Sequence, residues 1–357
     1  MRVKTTTLAV LALMLAGTFF AACKEIPSGP EAVSQVVSSP ASSPPVTPPA
    51  VPVPAPPVPA PPVPARQNPT DGYGIYESCD LHYTPEKCTN NLTKIADGGL
   101  KLVINYSQFS EEVTQTDLLN NLDAAAAVGL KMILAMEKPF WWDGTNLRLR
   151  FPKLAASCNC TDNKGFIRYI VQTIGSHRAV WGYYLGDETE PAEAPAWLPY
   201  AELIRASDPN RPRLMVHYVQ QACCRPVLNP DLLAFADGLD VLAEDYYPIG
   251  RSDPPPPAEY VGVVAEQVQT AAQARGKTGA VVLQSYALAQ YEPACGTKPA
   301  CQKLPSFEQM LAMRNAALLA AQPRFIFWYS FFDIMRSDDP VRHWNDLARA
   351  VKAPNPN

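Results

Sequence analysis

The sequence predicts an α/β fold, a (β/α)8 TIM barrel, on three observations. Eight short apolar runs recur between Gly74 and Phe332, and segments with helical periodicity lie between them. Strands alternating with helices imply parallel pairing through right-handed crossovers. The repeat fills about 280 residues, the size of such a barrel. An open doubly wound sheet is the alternative, but no glycine-rich phosphate loop follows the first run.

The chain has 357 residues, and the barrel does not begin at once. Met1-Arg2-Val3-Lys4 is a basic start. Leu8 to Phe20 is an apolar run of signal-core length, too short and poorly flanked for a spanning helix. It ends Phe20-Ala-Ala-Cys23, which resembles a bacterial lipoprotein lipobox. The resemblance implies a signal peptide over residues 1–22 and a lipidated Cys23 that anchors the chain to a membrane. Lys24 after the cysteine leans by the same resemblance towards the outer membrane or cell surface. Residues 23–70 then form a disordered proline-rich linker, with 13 prolines among the 25 residues from Pro40 to Pro64. Such a run favours extended polyproline II and reaches up to roughly 75 Å, the length of a stalk.

The barrel domain is expected over residues 71–352, with a tail at 353–357. Its apolar runs are Gly74–Tyr76, Leu100–Tyr106, Lys131–Met136, Val180–Leu185, Arg213–Tyr218, Leu239–Ala243, Ala280–Tyr286 and Arg324–Phe332. Apolar spacing at three and four marks helices at Thr116–Val128, Lys164–Ile174, Ala194–Ala206, Glu259–Arg275 and Phe307–Ala321. Beyond Cys23 there remain eight cysteines, an even count that fits four disulfides in an oxidising compartment. Cys79 with Cys88 and Cys295 with Cys301 close plausible local loops. Cys158, Cys160, Cys223 and Cys224 pair among themselves in an order the sequence leaves open. No CxxC or His-rich spacing marks a metal site. The net charge of −4, with no basic cluster, argues against nucleic acid. No cofactor is implied, and the protein is expected as a monomer.

Polar residues fall where the runs end, the rim on which barrel enzymes carry their chemistry. The first run ends at Glu77 and the second at Asn105 and Tyr106. The third ends at Glu137, followed by Trp141 and Trp142. The fourth, Trp181-Gly-Tyr-Tyr-Leu-Gly-Asp-Glu188, turns from aromatic to acidic at Asp187 and Glu188. The fifth gives His217 and Tyr218, and the sixth Glu244, Asp245, Tyr246 and Tyr247. The seventh gives Gln284 and Tyr286, the eighth Trp328, Tyr329 and Asp333. Aromatic faces suit the C–H edges of sugar rings, and carboxylates and amides suit their hydroxyls. The expected partner is therefore a carbohydrate, held by Asn105, Glu137, Trp141, Trp142, His217, Tyr246, Gln284, Tyr286 and Trp328.

Glu188 and its surroundings resemble the clan A glycoside hydrolase barrels, which carry an acid/base Glu at the end of the fourth strand. Asp187 stands where those enzymes commonly have Asn. Leu283-Gln-Ser-Tyr286, Leu304-Pro-Ser-Phe-Glu-Gln-Met310 and Phe327-Trp-Tyr-Ser330 also resemble a set of poorly characterised glycoside-hydrolase-like barrels. The resemblance covers most of residues 72–350. It implies hydrolysis of an O-glycosidic bond with Glu188 as general acid.

One departure stands out. Clan A enzymes place a nucleophilic carboxylate at the end of the seventh strand, where this chain has Gln284. The second carboxylate is therefore expected from Glu244 or Asp245, on a strand end roughly 9–10 Å away, or from Glu137. Asp187 completes the candidate catalytic set. Adjacent strand residues face opposite ways, so one of Asp187 and Glu188 is expected to face the rim's centre. The alternative is a non-catalytic glycan-binding barrel.

Overall fold

The computed structural model describes residues 69, 71–79, 85–142, 144–222, 225–251, 257–292, 295 and 297–356. The signal segment, Cys23, the proline-rich linker, Cys223 and Cys224 lie outside the described residues. Eight parallel strands close into a barrel: β1 (Gly72–Tyr76), β2 (Leu102–Ile104), β3 (Lys131–Ala135), β4 (Val180–Asp187), β5 (Arg213–Tyr218), β6 (Val241–Tyr246), β7 (Thr278–Gln284) and β8 (Phe325–Tyr329). They are hydrogen-bonded in sequence order, and β8 closes on β1. The expected fold is the observed one.

The principal helices are α1 (Pro85–Asp97), α2 (Gln115–Ala127), α3 (Asn163–Tyr169), α4 (Ala194–Ser207), α5 (Glu259–Gln273), α6 (Phe307–Ala320) and α7 (Pro340–Lys352). Their starts are written in the sequence. Thr114 and Asp117 form a capping box at α2, and Ser306 and Gln309 form another at α6. The β5–β6 connection departs from the pattern. It carries an antiparallel hairpin and a 3-10 segment, Pro230–Gly238, in place of an α-helix.

Period-two alternation sorts the strand residues into two cores. Ile104, Ile133, Leu214, Val216, Ala243, Val282 and Phe327 fill the bore. Val103, Leu134, Met215, Leu242, Val281 and Trp328 face outward, under the helices. Gly74 faces the bore because a Cβ there would collide with the Phe327 ring. Disulfides join Cys79 to Cys88 and Cys295 to Cys301, as their spacing suggests, and Cys158 to Cys160.

Candidate active site

The C-terminal mouth of the barrel gathers five carboxylates: Glu77, Glu137, Asp187, Glu188 and Asp245. Asp187 reaches it through a bulge. Tyr184 pairs with Leu214, but Asp187 pairs with Val216, so β4 spends three residues where β5 spends two. In an unbroken pleat Tyr184 and Asp187 would face opposite sides. Here both face inward, and the Tyr184 hydroxyl donates to Asp187 Oδ1 at 2.7 Å. The Tyr106 hydroxyl donates to Oδ2 at 2.8 Å. Glu188 follows at φ 45°, in the left-handed region that a residue with a Cβ adopts at a cost. That turn keeps its carboxyl at the same mouth. The expectation that only one of the two faces the centre is therefore corrected by the bulge and this turn. Glu77, at the end of β1, has φ 63° and accepts the Tyr106 backbone N–H at 3.1 Å.

Burial first, and crowding of like charges second, set the protonation. Desolvation, then repulsion from Asp187, raises Glu188 to about 7, and Arg251 opposes the rise. Asp245 is pushed well above the carboxylate range by burial, then by Glu188 and Asp187, while a Tyr247 hydrogen bond and Arg251 oppose this. Glu137 is raised by burial, Asp187 and Glu77. Burial also raises Asp187, against its two phenol donors. Asp187 and Glu188 are open to solvent on one side, so water screens part of these effects. Each of these carboxylates opposes the ionisation of its neighbours, so their titrations are linked.

Tyrosines line the same mouth. Tyr329 sits centrally, with ring centroids 5.2 Å from Tyr76, 5.9 Å from Tyr286 and 6.2 Å from Tyr247. Tyr76, Tyr184 and Arg251 were not among the expected rim residues, and Tyr247 and Tyr329 were placed on the rim without a role. The signal was present, since each tyrosine lies at or near the end of a bore-facing alternation. Ser330 Oγ and Tyr291 Oη donate to Asp333 behind this ring, at 2.6 and 2.8 Å.

Several expected ligand contacts fall elsewhere. Glu244 alternates outward from Asp245 and is fully buried behind the wall, where Oε1 accepts the Asn229 N–H at 2.6 Å. His217 is its register partner and is equally buried. Its Nε2–H donates to Thr189 O at 3.0 Å, and its Nδ1 accepts from Asn229 Nδ2 at 2.9 Å. Both ring nitrogens are thus used, Nε2 on the segment that carries Glu188 and Nδ1 on Asn229 of the β5–β6 connection. Tyr246 and Trp328 alternate outward into the helix-covered core. Trp141 is buried beneath the mouth, while Trp142 stays 56 % exposed with Lys138 Nζ 5.4 Å from its ring centroid. Asn105 turns away from the mouth into a lateral cavity beside α2.

Gln284 does face inward, opposite Tyr329. Its amide is consumed by the backbone: Oε1 accepts the Ile249 N–H at 2.8 Å, and Nε2 donates to Ile249 O at 2.9 Å and Tyr286 O at 3.0 Å. It clamps the loop after β6 and offers nothing to a ligand. Among the described residues, no group of three or more His, Cys, Asp or Glu is arranged to hold a metal ion.

No protein-family model matches the sequence, and no curated protein matches it. Solved structures do match in shape. The GH99 endo-α-mannosidase from Bacteroides thetaiotaomicron aligns with a TM-score of 0.53 at 14 % identity, over 79 % of this chain and 95 % of that one. A family 5 mannosidase from Rhizomucor miehei aligns with a TM-score of 0.52 at 9 % identity, over 74 % and 82 %. The fold is a glycoside-hydrolase-like barrel. A GH2 β-galacturonidase from Eisenbergiella tayi also aligns, with a TM-score of 0.50 at 14 % identity. The glycoside-hydrolase-like barrel covers 81 % of this chain in that match but only 52 % of the galacturonidase, about half its length.

Proposed function

We propose that the protein is a glycoside hydrolase that cleaves O-glycosidic bonds of an oligo- or polysaccharide. One observation carries the reading: Glu188, raised to about 7, shares an open barrel mouth with Asp187 and Asp245. Hydrolysis of a glycoside needs one carboxyl that keeps its proton and one that does not. Glu188 is the general acid, placing its proton on the leaving oxygen. Protonation of Glu188 removes a charge that opposes ionisation of Asp245. Burial, the largest effect on Asp245, still opposes its charge, and Arg251 and the Tyr247 hydroxyl work against burial. Asp245 is assigned as the second group on its place beside Glu188. Asp187, held by two phenol hydroxyls, fixes the electrostatic setting of both. Trp142 is the exposed face on which a sugar ring stacks.

The reading extends to location. The lipobox and proline-rich linker support an exported lipoprotein anchored through Cys23, with the barrel held off the membrane.

Release of reducing ends from a panel of neutral and charged glycans tests the activity. Glu188→Gln is expected to lower turnover by about 10²–10⁴-fold, the usual contribution of a general acid. Asp245→Asn should be comparably damaging. Unchanged turnover in both variants would remove the two-carboxylate mechanism.

A second reading is favoured by Gln284, which stands where clan A barrels carry a nucleophile and is fully engaged in holding a loop. In that reading the mouth binds glycans without cleaving them. It predicts glycan affinity with no reducing ends from the unmodified protein.

A further inference from the structure

A second cavity of about 530 Å³ opens on the side of the barrel, bounded by the segment after β2, by α1 and α2, and by the Cys79–Cys88 disulfide. It is separate from the carboxylate mouth. Its size falls within the range of small-molecule sites. Its polar lining is mostly uncharged: Asn105, Ser107, Gln108, Asn120 and Asn121 bring amides and a hydroxyl to it, beside the carboxylates Glu112 and Asp117. Val113, Leu118 and Ala124 supply an apolar wall.

Gln108 is the informative residue. It is 4 % exposed, and neither Nε2 nor Oε1 has a hydrogen-bond partner. The buried Asn121 Oδ1 likewise has none. Buried amides are almost always satisfied, because leaving one unpaired costs free energy. A wholly unpaired Gln108 amide and an unpaired Asn121 oxygen on one cavity point to a ligand that supplies both donors and acceptors.

The charges at the rim are already engaged. Glu112 pairs with Lys153, and Asp117 Oδ2 accepts from the Thr114 backbone N–H at 2.9 Å and its hydroxyl at 2.7 Å. Among the described lining residues there is no Lys or Arg, so an anion would find no counter-charge. Amides that both give and accept, beside an apolar wall, match the alternating hydroxyl and C–H surface of a sugar.

We propose that this lateral cavity is a second, independent binding site for a neutral sugar unit, held by the Gln108 and Asn121 amides. Nothing in this rests on Glu188 or on turnover.

The test uses the full chain and the methyl glycosides of glucose, mannose and galactose as probes, read by ligand-observed NMR titration. At least one probe is expected to bind. Gln108→Leu should weaken that binding at least fivefold, while Glu188→Gln leaves it unchanged. Gln108→Leu should also hold or raise the melting temperature, because it replaces an unpaired buried amide with an apolar group. A lowered melting temperature in that variant is answered by Asn121→Leu, which should weaken binding in the same way. The proposal is overturned if no probe binds, if both amide variants bind normally, or if Glu188→Gln abolishes binding as well.

Discussion

At the scale of single residues, the site is governed by how many carboxylates share one mouth. Glu188 keeps its proton because Asp187 and the barrel wall disfavour its charge. The acidic form, the proton donor of the proposed mechanism, is populated below about pH 7 and lost above it. Turnover should therefore fall as pH rises through about 7, and a pH–rate profile of the unmodified protein checks this. Asp187→Asn takes away the carboxylate that repels the Glu188 charge, so it should move that limb to lower pH in any residual activity. Which residues reach the mouth was only partly legible in the sequence. Strand-end position put Asp187, Glu188, Asp245 and Glu137 on one rim, where the structure has these four together. It misplaced Glu244, Tyr246 and Trp328, because a strand end alone does not say which face a residue takes. Alternation counted back from Ala243 or Phe327 would have turned all three outward. Gln284 was placed correctly but misread, since its partner is backbone brought close only by the fold.

At the scale of elements, the strands and principal helices were legible because their periodicities differ so clearly. The β5–β6 connection was not, since Pro230 to Gly238 is too short and turn-rich to show a helical period. The β4 bulge was also hidden, since an extra residue leaves the composition of a strand unchanged. One unexpected tie involves the C-terminal tail. Arg314 on α6 is fully buried, and its Nε donates to the Tyr73 hydroxyl of β1 at 2.7 Å. Its remaining donors reach Ala353 O at 2.8 Å, Pro354 O at 3.2 Å and Asn355 Oδ1 at 2.9 Å. The last residues thus cap a buried guanidinium that links the first strand to the last crossover helix. A chain ending at Lys352 should lose about 1–3 kcal/mol of stability, the cost of unpaired buried donors. Thermal unfolding of the truncated and full chains measures the difference, and equal melting temperatures would show that water replaces the tail at no cost.

At the scale of the molecule, buried acids give stability an unusual dependence on pH. Glu244 is fully buried and raised to about 8, chiefly by desolvation, while its unfolded value is near 4.5. Between those values the folded chain holds a proton that the unfolded chain releases. The stabilisation is complete below about 4.5 and lost as pH rises through about 8. Glu188 contributes in the same direction, reduced by its exposure to solvent. The melting temperature should therefore fall between pH 5 and pH 9, across the window these acids set. Glu244→Gln keeps an acceptor for the Asn229 N–H but cannot ionise. It should raise the melting temperature at high pH by at least about 3 °C and flatten the slope. A slope left intact in that variant would move the effect to the mouth carboxylates.

The Gln284 clamp has a consequence for how this protein could change over generations. Glutamine and glutamate are a single-nucleotide step apart, so placing an acid at the end of β7 looks easy on paper. The side chain there gives two hydrogen atoms to carbonyl oxygens, those of Ile249 and Tyr286. An ionised glutamate would present lone pairs to both and push the following segment away. That mutational route is closed until the β6 loop is rebuilt to suit an anion. A second carboxylate for the proposed reaction therefore has to come from another strand end.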